Sequence, residues 1–237
     1  MKILVIKFRN IGDVLLTTPL FDALADLHPN ATIDAAVNEG TEAMLQGHPA
    51  IRKLHVYRRN TLRHLPPHLR VLAELRFVIS IRRERYDMVI NTTKGDRGLW
   101  LGIISGASTL IAALSDKNRW LRRFVDHTLP SLNGRHMVDV ALDPVRALGH
   151  EPIRKRVSIQ WCDDTEASVR THMNDHGLVS KTFIHFHPVS RWLFKCLDDR
   201  TAARIIDFCR NDLGVPVVLT AAPVDKERRK IDAILAH

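Results

Sequence analysis

The sequence predicts an α/β fold with two doubly wound parallel sheets. Short apolar runs alternate along the chain with segments of helical spacing, as expected where a crossover helix follows each strand. The runs are rich in Ile, Val and Leu without strict alternation, which is typical of strands covered on both faces. A polar stretch at 150–156 separates two blocks of this pattern. We therefore expect two Rossmann-like domains, at 1–150 and 151–237.

Each predicted element follows from its local pattern. Glycines after several helical segments are natural helix C-termini. Pro19 cannot donate to the carbonyl of Leu15, which predicts a kink or restart of the first helix near Thr18. The predicted strands are 3–8, 32–37, 53–57, 88–91 and 109–113 in the first domain, and 183–186 and 215–220 in the second. The predicted helices are 14–27, 41–46, 69–84, 97–105, 136–148, 164–176, 198–212 and one that begins at 225.

Composition indicates a globular protein. The chain has 237 residues, of which 45% are apolar, enough to bury ordinary cores. Its longest apolar run, 99–104, is far shorter than the roughly 20 residues that span a bilayer. The amino terminus lacks the pattern of a secretory leader, so export is not expected. Cys162, Cys196 and Cys209 are widely spaced, which predicts free thiols in a reducing cytoplasm.

The net charge of +9 is concentrated in one segment, residues 52–85, where basic residues far outnumber two glutamates. One interpretation is a solvated helix face, with Leu69, Leu72, Leu75 and Ile79 turned inward. The other is a surface for a polyanion, because guanidinium groups bind phosphate and carboxylate oxygens in pairs. Charge alone does not choose between nucleic acid and anionic lipid. The basic residues are Arg52, Lys53, Arg58, Arg59, Arg63, Arg70, Arg76, Arg82, Arg83 and Arg85.

Asp13 lies where the first predicted strand gives way to a helix. Its carboxylate can accept backbone N–H groups at the helix start, which stabilises a helix by about 1 kcal/mol. The same position suits a general base, which takes a proton from an attacking hydroxyl. Gly12 has no side chain and leaves space beside this carboxylate.

A second charged turn follows the predicted strand 183–186 and contains Ser190, Arg191 and Lys195. An ordinary serine turn with an exposed lysine is one interpretation. The other is a phosphate site, because cations near a helix start stabilise the charge of a departing diphosphate. Ligands of parallel sheets bind outside the carboxyl ends of the strands. We therefore expect the Asp13 turn and the Lys195 turn to face one cleft.

Two further groups are weaker candidates. His185 and His187 lie on the same side of a strand, but no third ligand has a convincing position, so we predict no metal site. We expect His187 to belong to the turn that contains Lys195. We expect His185 to be a hydrogen-bonded histidine of the core or the cleft. Thr93 and Lys94, in the segment 91–97, supply a hydroxyl and a cation for sugar or phosphate, although a capped turn explains them equally well.

Two motifs resemble glycosyltransferase family 9, the ADP-heptose:lipopolysaccharide heptosyltransferases. The first is Ile11-Gly12-Asp13-Val14-Leu15 followed by Thr17-Thr18-Pro19, and the second is His187-Pro188-x-Ser190-Arg191-Trp192-x-x-Lys195. The resemblance covers nearly all of the chain and is greatest to the type that adds the third core heptose. His136 and Asp139 resemble the start of the last helix of the family's first domain.

The resemblance implies a fold and an activity. The fold is GT-B, and the reaction is the inverting, metal-independent transfer of heptose from ADP-heptose to the inner core of lipopolysaccharide, with no cofactor. The site is the cytoplasmic face of the inner membrane, where the protein is peripheral, and no nucleic acid partner is expected. The first domain then binds the acceptor, and the second binds the nucleotide sugar.

The resemblance also implies residue roles. Asp13 is the catalytic base. The donor side is formed by His187, Ser190, Arg191 and Lys195. The acceptor side is formed by Gly12, Arg58, Arg59, Arg63, Thr93 and Lys94.

The family's second domain continues beyond the point where this chain ends, which predicts a C-terminal truncation, either a fragment or a shortened gene product. Two alternatives therefore stay open. One is a truncated transferase remnant without catalysis. The other is a polyanion-binding module that uses the surface between Arg52 and Arg85, although no zinc-finger spacing or RNP-type motif supports nucleic acid.

Overall fold

A computed structural model describes residues 1–130 and 134–237. The chain divides into two compact units, Met1–Cys162 and Asp163–His237. Residues 151–162, assigned from the sequence to the second domain, lie on the first unit. There the Ser158 amide donates to the Thr18 hydroxyl at 3.1 Å, and Lys155 Nζ donates to Asp139 Oδ1 at 2.8 Å.

The first unit is built on a six-stranded sheet in which every neighbouring pair is parallel. Its strands are β1 (Lys2–Lys7), β2 (Thr32–Asn38), β3 (Lys53–Tyr57), β4 (Met88–Asn91), β5 (Thr109–Ala113) and β6 (His127–Leu129). The order across the sheet is β3-β2-β1-β4-β5-β6. This order, with helices on both faces, confirms the predicted doubly wound α/β class. Strand β6 was not predicted.

Both faces of this sheet are buried. Ile3 and Val5 pack in one core cluster, and Leu4 and Ile6 pack in a second cluster on the other face. All four side chains are completely buried. Because neither face of β1 meets water, the strand has no polar alternation, as the sequence indicated.

The helices of the first unit cover these faces. They are α1 (Ile11–Leu15), α2 (Thr18–Leu27), α3 (Arg59–Arg63), α4 (Pro67–Glu84), α5 (Asp96–Ser105), α6 (Met137–Ala141) and α7 (Asp143–Ala147). The break between α1 and α2 confirms the restart predicted near Thr18. Pro19 has no N–H for the Leu15 carbonyl, and the Thr18 hydroxyl donates to that carbonyl instead, at 3.0 Å.

The orientation predicted for the helix now labelled α4 is wrong. One of the two interpretations of this segment placed Leu69, Leu72, Leu75 and Ile79 inward, but they are exposed, with 43–53% of their surface accessible. The inward face is formed by Phe77, Val78 and Ile81, which pack against the second core cluster. Apolar residues recur at helical spacing on both faces of α4, so periodicity could not decide which one meets the sheet.

The second unit, described by itself, has a two-stranded parallel sheet. Its small core contains Ala202, Ala203, Ile206 and Ile234, packed against residues of both strands. The elements are α8 (Asp163–Asp175), β7 (Ile184–Phe186), α9 (Asp199–Asp207), β8 (Val217–Leu219) and α10 (Asp225–Leu235). These confirm the predicted helix–strand–helix–strand–helix order, with strands shorter than expected.

Candidate functional site

The carboxyl ends of β1, β3 and β4 form the candidate site of the first unit. Asp13 follows β1 on α1, where it lies in the first helical turn and is half-buried. A Cβ added to Gly12 would meet no atom within 4 Å, so the space next to Asp13 is open. Within the described residues, no hydrogen bond or ion pair engages the Asp13 carboxylate.

Lys7, the last residue of β1, was not predicted to be functional. Its side chain is only 4% exposed, and no hydrogen bond or ion pair of its ammonium group occurs in the part of the chain that the structure describes. Burial lowers the pKa of Lys7 to about 8, while the nearby charge of Asp13 opposes this shift and that of Arg9 adds to it. A buried cation that has no such direct partner is costly, which makes Lys7 a candidate functional group. The sequence signal was a lysine at the end of an apolar strand.

An arginine cavity lies beside the end of β3. Its volume is about 160 Å³. The Arg97 guanidinium lies over the Tyr57 ring, 4.4 Å from the centroid, and 3.7 Å from Glu74. Burial and a hydrogen bond to Glu74 raise the pKa of Tyr57 to about 12, so this phenol stays neutral. The lining residues are Tyr57, Arg59, Leu62, Arg63, Arg70 and Arg97.

Two of the predicted acceptor residues, Arg59 and Arg63, line this arginine cavity, and Arg58 lies at the start of α3 outside its lining. Sequence reasoning did not assign Arg70 or Arg97 to the same place. They come from separate helices, α4 and α5, and only the folded chain brings them to the end of β3.

Thr93 and Lys94 follow β4 at the same edge of the sheet. Thr93 is buried, and its hydroxyl accepts a hydrogen bond from the Phe8 amide at 3.1 Å. This contact joins the ends of β1 and β4. Lys94 is half-buried. Their contact with an acceptor stays a prediction.

The second predicted turn follows β7. The Ser190 hydroxyl accepts from the Trp192 amide at 3.2 Å and donates to the Trp192 carbonyl at 2.9 Å, so it stabilises the turn itself. Lys195 is exposed, with its ammonium 5.8 Å from the centre of the Phe194 ring. Arg191 lies over the Trp192 ring at 5.7 Å. Asp198 caps α9 by accepting from the Thr201 amide at 2.9 Å.

His185 and His187 share one partner. His185 Nε2 lies 2.8 Å and His187 Nδ1 lies 2.9 Å from the Thr220 hydroxyl. A hydroxyl donates one proton, so at most one of these imidazole nitrogens accepts from it and the other must donate. The structure thus links the two histidines through Thr220, which follows β8 and was not singled out in the sequence.

His136 and Asp139 have local contacts. His136 Nδ1 accepts from the Val138 amide at 3.3 Å at the start of α6. Asp139 accepts from Lys155. Both contacts stabilise the end of the first unit.

The opposite, amino end of the first sheet carries an ionic cluster around the buried carboxylate of Asp34. Asp34 accepts from Arg52 through both oxygens, at 2.9 and 2.5 Å, and from the Tyr86 hydroxyl at 2.6 Å. Tyr86 also lies 2.8 Å from His55 Nε2. Burial raises the pKa of Asp34, but the interactions with His55, Arg52 and Tyr86 outweigh burial and hold the pKa well below its usual range. We call this group, with Glu84 and Lys53, the amino-end cluster.

Glu84 extends the amino-end cluster. It accepts from Lys53 at 2.6 Å and from Arg52 at 2.9 Å, and these hydrogen bonds lower the pKa of Glu84 to about 2. Oxygen and nitrogen atoms of Asp34, His55 and Glu84 lie within 4.8 Å of one another, a spacing that suits a metal ion. Arg52 and Lys53 already neutralise both carboxylates, so we assign the cluster to stability.

Asp13 and Lys195 belong to different units, and each is placed at the carboxyl end of its own sheet. Their meeting across a common cleft stays a prediction. No helix in the described part of the chain is long and apolar enough to cross a bilayer.

Similarity to solved structures identifies the class of fold. A glycosyltransferase family 9 protein from Veillonella parvula superimposes with a TM-score of 0.77 over 98% of this chain and 66% of that one, at 20% identity. The Escherichia coli heptosyltransferase WaaC with ADP-2-deoxy-2-fluoro heptose superimposes with a TM-score of 0.74 over 99% and 73%, at 15% identity. The fold is therefore that of GT-B glycosyltransferases, as predicted.

The sequence of this chain is also similar to those of characterised proteins. Lipopolysaccharide heptosyltransferase 3 of Escherichia coli is 24% identical over 220 residues, which is 91% of this chain and 62% of that protein. This confirms the resemblance to the heptosyltransferases of glycosyltransferase family 9. The chain spans less than two thirds of the length of that relative. No family model matches the sequence.

Proposed function

We propose that this chain carries the machinery of an inverting heptosyltransferase, which moves heptose from ADP-heptose to the inner core of lipopolysaccharide. The observation that carries the proposal is the set of charged side chains at one end of the first sheet, most of which have no hydrogen bond or ion pair to another side chain among the described residues. Asp13 and Lys7 lie there with the arginine cavity, in a chain similar over nine tenths of its length to lipopolysaccharide heptosyltransferase 3.

In this proposal Asp13 is the general base. The acceptor hydroxyl oxygen attacks the anomeric carbon of the heptose while its proton passes to the Asp13 carboxylate. The bond from that carbon to the diphosphate oxygen breaks on the opposite face, so the configuration inverts and ADP leaves. The half-buried position of Asp13 and the open space next to Gly12 support this role, because a sugar hydroxyl needs room beside the carboxylate.

Lys7 is assigned a positioning role in the same site. Its buried ammonium lies near enough to Asp13 for their charges to interact. A fixed cation at the end of β1 orients the carboxylate toward the acceptor without contacting the donor. This explains why the fold tolerates an unpaired charge at that place.

The arginine cavity is the proposed acceptor anion site. A lipopolysaccharide inner core carries phosphate, and guanidinium groups bind phosphate oxygens in pairs. Four arginines line the cavity, while Glu74 is a nearby acid that already contacts Tyr57 and Arg97. Arg59, Arg63 and Arg70 therefore supply the positive charge available to a ligand. Gly12, Arg58, Thr93 and Lys94 are proposed as further contacts of the acceptor.

The donor side is proposed at the turn after β7. Lys195 and Arg191 supply positive charge for the diphosphate, Ser190 shapes the turn, and His187 is oriented by Thr220. The structural neighbour with bound ADP-2-deoxy-2-fluoro heptose supports a nucleotide sugar as donor. We propose that these side chains replace a metal ion or cofactor in stabilising the leaving group.

The proposed place of action is the cytoplasmic face of the inner membrane, where the chain is peripheral and the acceptor is lipid-linked. The proposed partners are ADP-heptose, the core acceptor and the membrane surface, with no nucleic acid. The domain roles proposed are acceptor binding at 1–150 and donor binding at 151–237.

The transfer itself is tested by product mass. The chain is incubated with ADP-heptose and a truncated core acceptor, and we expect product heavier by one heptose. Asp13→Asn should abolish the product and leave the fold unchanged by circular dichroism, whereas Asp26→Asn, at an exposed position on α2, should keep it. Unchanged turnover in Asp13→Asn would remove Asp13 from the mechanism, and transfer from only a different sugar nucleotide would overturn the donor.

The donor side is tested by calorimetric titration with ADP. Lys195→Ala should weaken ADP binding by about tenfold or more, since a charge-assisted contact contributes roughly 1.5–3 kcal/mol. Lys117→Ala, an exposed lysine of the first unit, is the matched control and should bind as the original chain does. Equal affinities in all three proteins would contradict the role of Lys195.

A further inference from the structure

Helix α4 has a second apolar face that points away from the sheet. Its inward face is used by Phe77, Val78 and Ile81. On the other side, Leu72 and Leu75 are 43% and 53% exposed. Single exposed apolar residues are common on protein surfaces, but a contiguous row along one helix indicates an interaction surface.

The spacing makes this row one continuous stripe. Residues three and four positions apart lie above one another on a helix. Positions 69, 72, 76, 79 and 83 of α4 are separated by three and four residues in alternation. Leu75 lies directly beside the row that they form. We name this surface the outer stripe. Its members are Leu69, Leu72, Leu75, Arg76, Ile79 and Arg83.

The charges of the outer stripe are positive and lack acidic partners. Arg76 and Arg83 are exposed and form no ion pair within the residues that the structure describes. The two glutamates of α4 point elsewhere. Glu74 contacts Tyr57 and Arg97 at the cavity, and Glu84 contacts Lys53 and Arg52 in the amino-end cluster.

We propose that the outer stripe docks the protein on an anionic lipid surface, with its leucine and isoleucine side chains in the headgroup–acyl boundary and its arginines against lipid phosphates. A helix that lies in the membrane plane combines these two features. Charge complementarity selects this occupant, because no acid among residues 1–130 and 134–237 forms an ion pair with these arginines and the chain carries a net charge of +9. The outer stripe, from Leu69 to Arg83 on α4, extends over about 21 Å.

Docking through α4 would also place the arginine cavity near the lipid surface, because Arg70 of the same helix lines that cavity. The inference deepens the proposed function, on which it rests, since a lipid-linked acceptor has to reach the site from a membrane. The test needs neither donor nor acceptor, so its result is separate from that of the transfer assay.

The test is co-sedimentation of the whole chain with vesicles of phosphatidylcholine, with and without phosphatidylglycerol. We expect binding to the vesicles that contain phosphatidylglycerol, weakened by salt. Leu72→Glu with Ile79→Glu should weaken it by about tenfold or more, because both contacts with the acyl boundary are lost. Circular dichroism checks that these exposed positions leave the fold intact.

The matched control is Ile153→Glu with Val169→Glu, which changes the net charge equally at two exposed apolar positions outside α4. It should keep most of the binding. Arg76→Gln with Arg83→Gln should remove the preference for phosphatidylglycerol. Any of three results would overturn the proposal. The first is an equal loss of binding in the two double glutamate variants. The others are equal binding of the original chain to vesicles with and without phosphatidylglycerol, or no binding of the original chain to either.

Discussion

The two ends of the first sheet carry buried charge in opposite ways. At the amino end, Asp34 is completely buried and accepts hydrogen bonds from Arg52 and Tyr86. At the carboxyl end, Lys7 is nearly as buried and has no hydrogen bond or ion pair among the residues that the structure describes. The same parallel strands form both ends of the sheet, so secondary structure does not account for the difference.

We interpret the paired charges at the amino end as stabilising, and the charges at the carboxyl end as functional. A paired buried charge costs little once formed, and removing one partner is destabilising. An unpaired buried charge lowers stability at all times and persists where a ligand or a reaction uses it. We therefore assign the amino-end cluster to stability, and Lys7, Asp13 and the arginine cavity to the proposed site. Changes at the two ends should have opposite effects on stability.

The largest effect is expected at Asp34. Asp34→Ala leaves Arg52 and Tyr86 without their common acceptor, and should lower the free energy of unfolding by about 3 kcal/mol. Urea denaturation followed by circular dichroism measures this. Asp26→Ala removes an exposed ion pair with Arg154 and should change stability by less than about 0.5 kcal/mol. A similar loss in both variants would show that the amino-end cluster is no more stabilising than a surface contact.

Lys7→Met should have the opposite sign. The substitution removes a buried ammonium whose pKa lies near 8 instead of 10.5, and should raise the free energy of unfolding at neutral pH by about 2 kcal/mol. Heptose transfer should fall in the same variant. Lys117→Met, at an exposed position, is the control for both measurements and should change neither.

The stability gain of Lys7→Met should also depend on pH. Between about pH 8 and 10.5 the unfolded chain binds more protons at Lys7 than the folded chain, so the original protein becomes relatively more stable as pH rises. The gain is therefore largest below pH 8 and vanishes above 10.5. A loss of stability in Lys7→Met at neutral pH would mean that the ammonium is compensated after all.

Acid should weaken the contribution of the amino-end cluster to stability. Glu84 has a pKa of about 2 instead of 4.5, and Asp34 is shifted in the same direction. Their contribution is complete above the ordinary carboxyl pKa and is lost as pH falls toward 2. Glu84→Gln should be less stable at neutral pH but lose less on acidification, as measured by urea midpoints. Parallel pH curves for the two proteins would exclude Glu84 from this effect.

The smallest effect on stability is expected at Gly12. An added Cβ meets nothing within 4 Å there, so Gly12→Ala should change the free energy of unfolding by less than about 0.5 kcal/mol. Gly102→Ala, where the Cβ would lie 2.7 Å from Leu110 Cδ1, should cost about 1–3 kcal/mol. Thermal melts of the pair compare an open position with a packed one. A large loss in Gly12→Ala would show that the carboxyl end is tightly packed.

Much of the fold could be predicted from the sequence. Strands β1 to β5 were located within a residue or two because continuous apolar runs mark strands buried on both faces. Strand β6 was missed because His127-Thr128-Leu129 has no such run. The orientation of α4 was wrong because both of its faces are apolar, and only the packing against the sheet distinguishes them.

The site was less accessible to sequence reasoning. Asp13 and Lys195 could be proposed because each follows a strand within a motif that resembles a family, and their roles stay predictions. Arg70 and Arg97 could not be assigned, because they come from separate helices that meet only in the folded chain. Lys7 was missed because burial, and not residue type, makes it unusual.

The most direct measurement is calorimetric titration of the chain with a phosphorylated inner-core oligosaccharide. We expect salt-dependent binding that weakens by about tenfold or more in the triple variant Arg59→Ala, Arg63→Ala, Arg70→Ala. The triple variant Arg119→Ala, Arg156→Ala, Arg210→Ala removes as much charge from exposed positions outside the cavity, and should bind as the original chain does. Equal affinities in the two triple variants would contradict the assignment of the carboxyl end as the acceptor site.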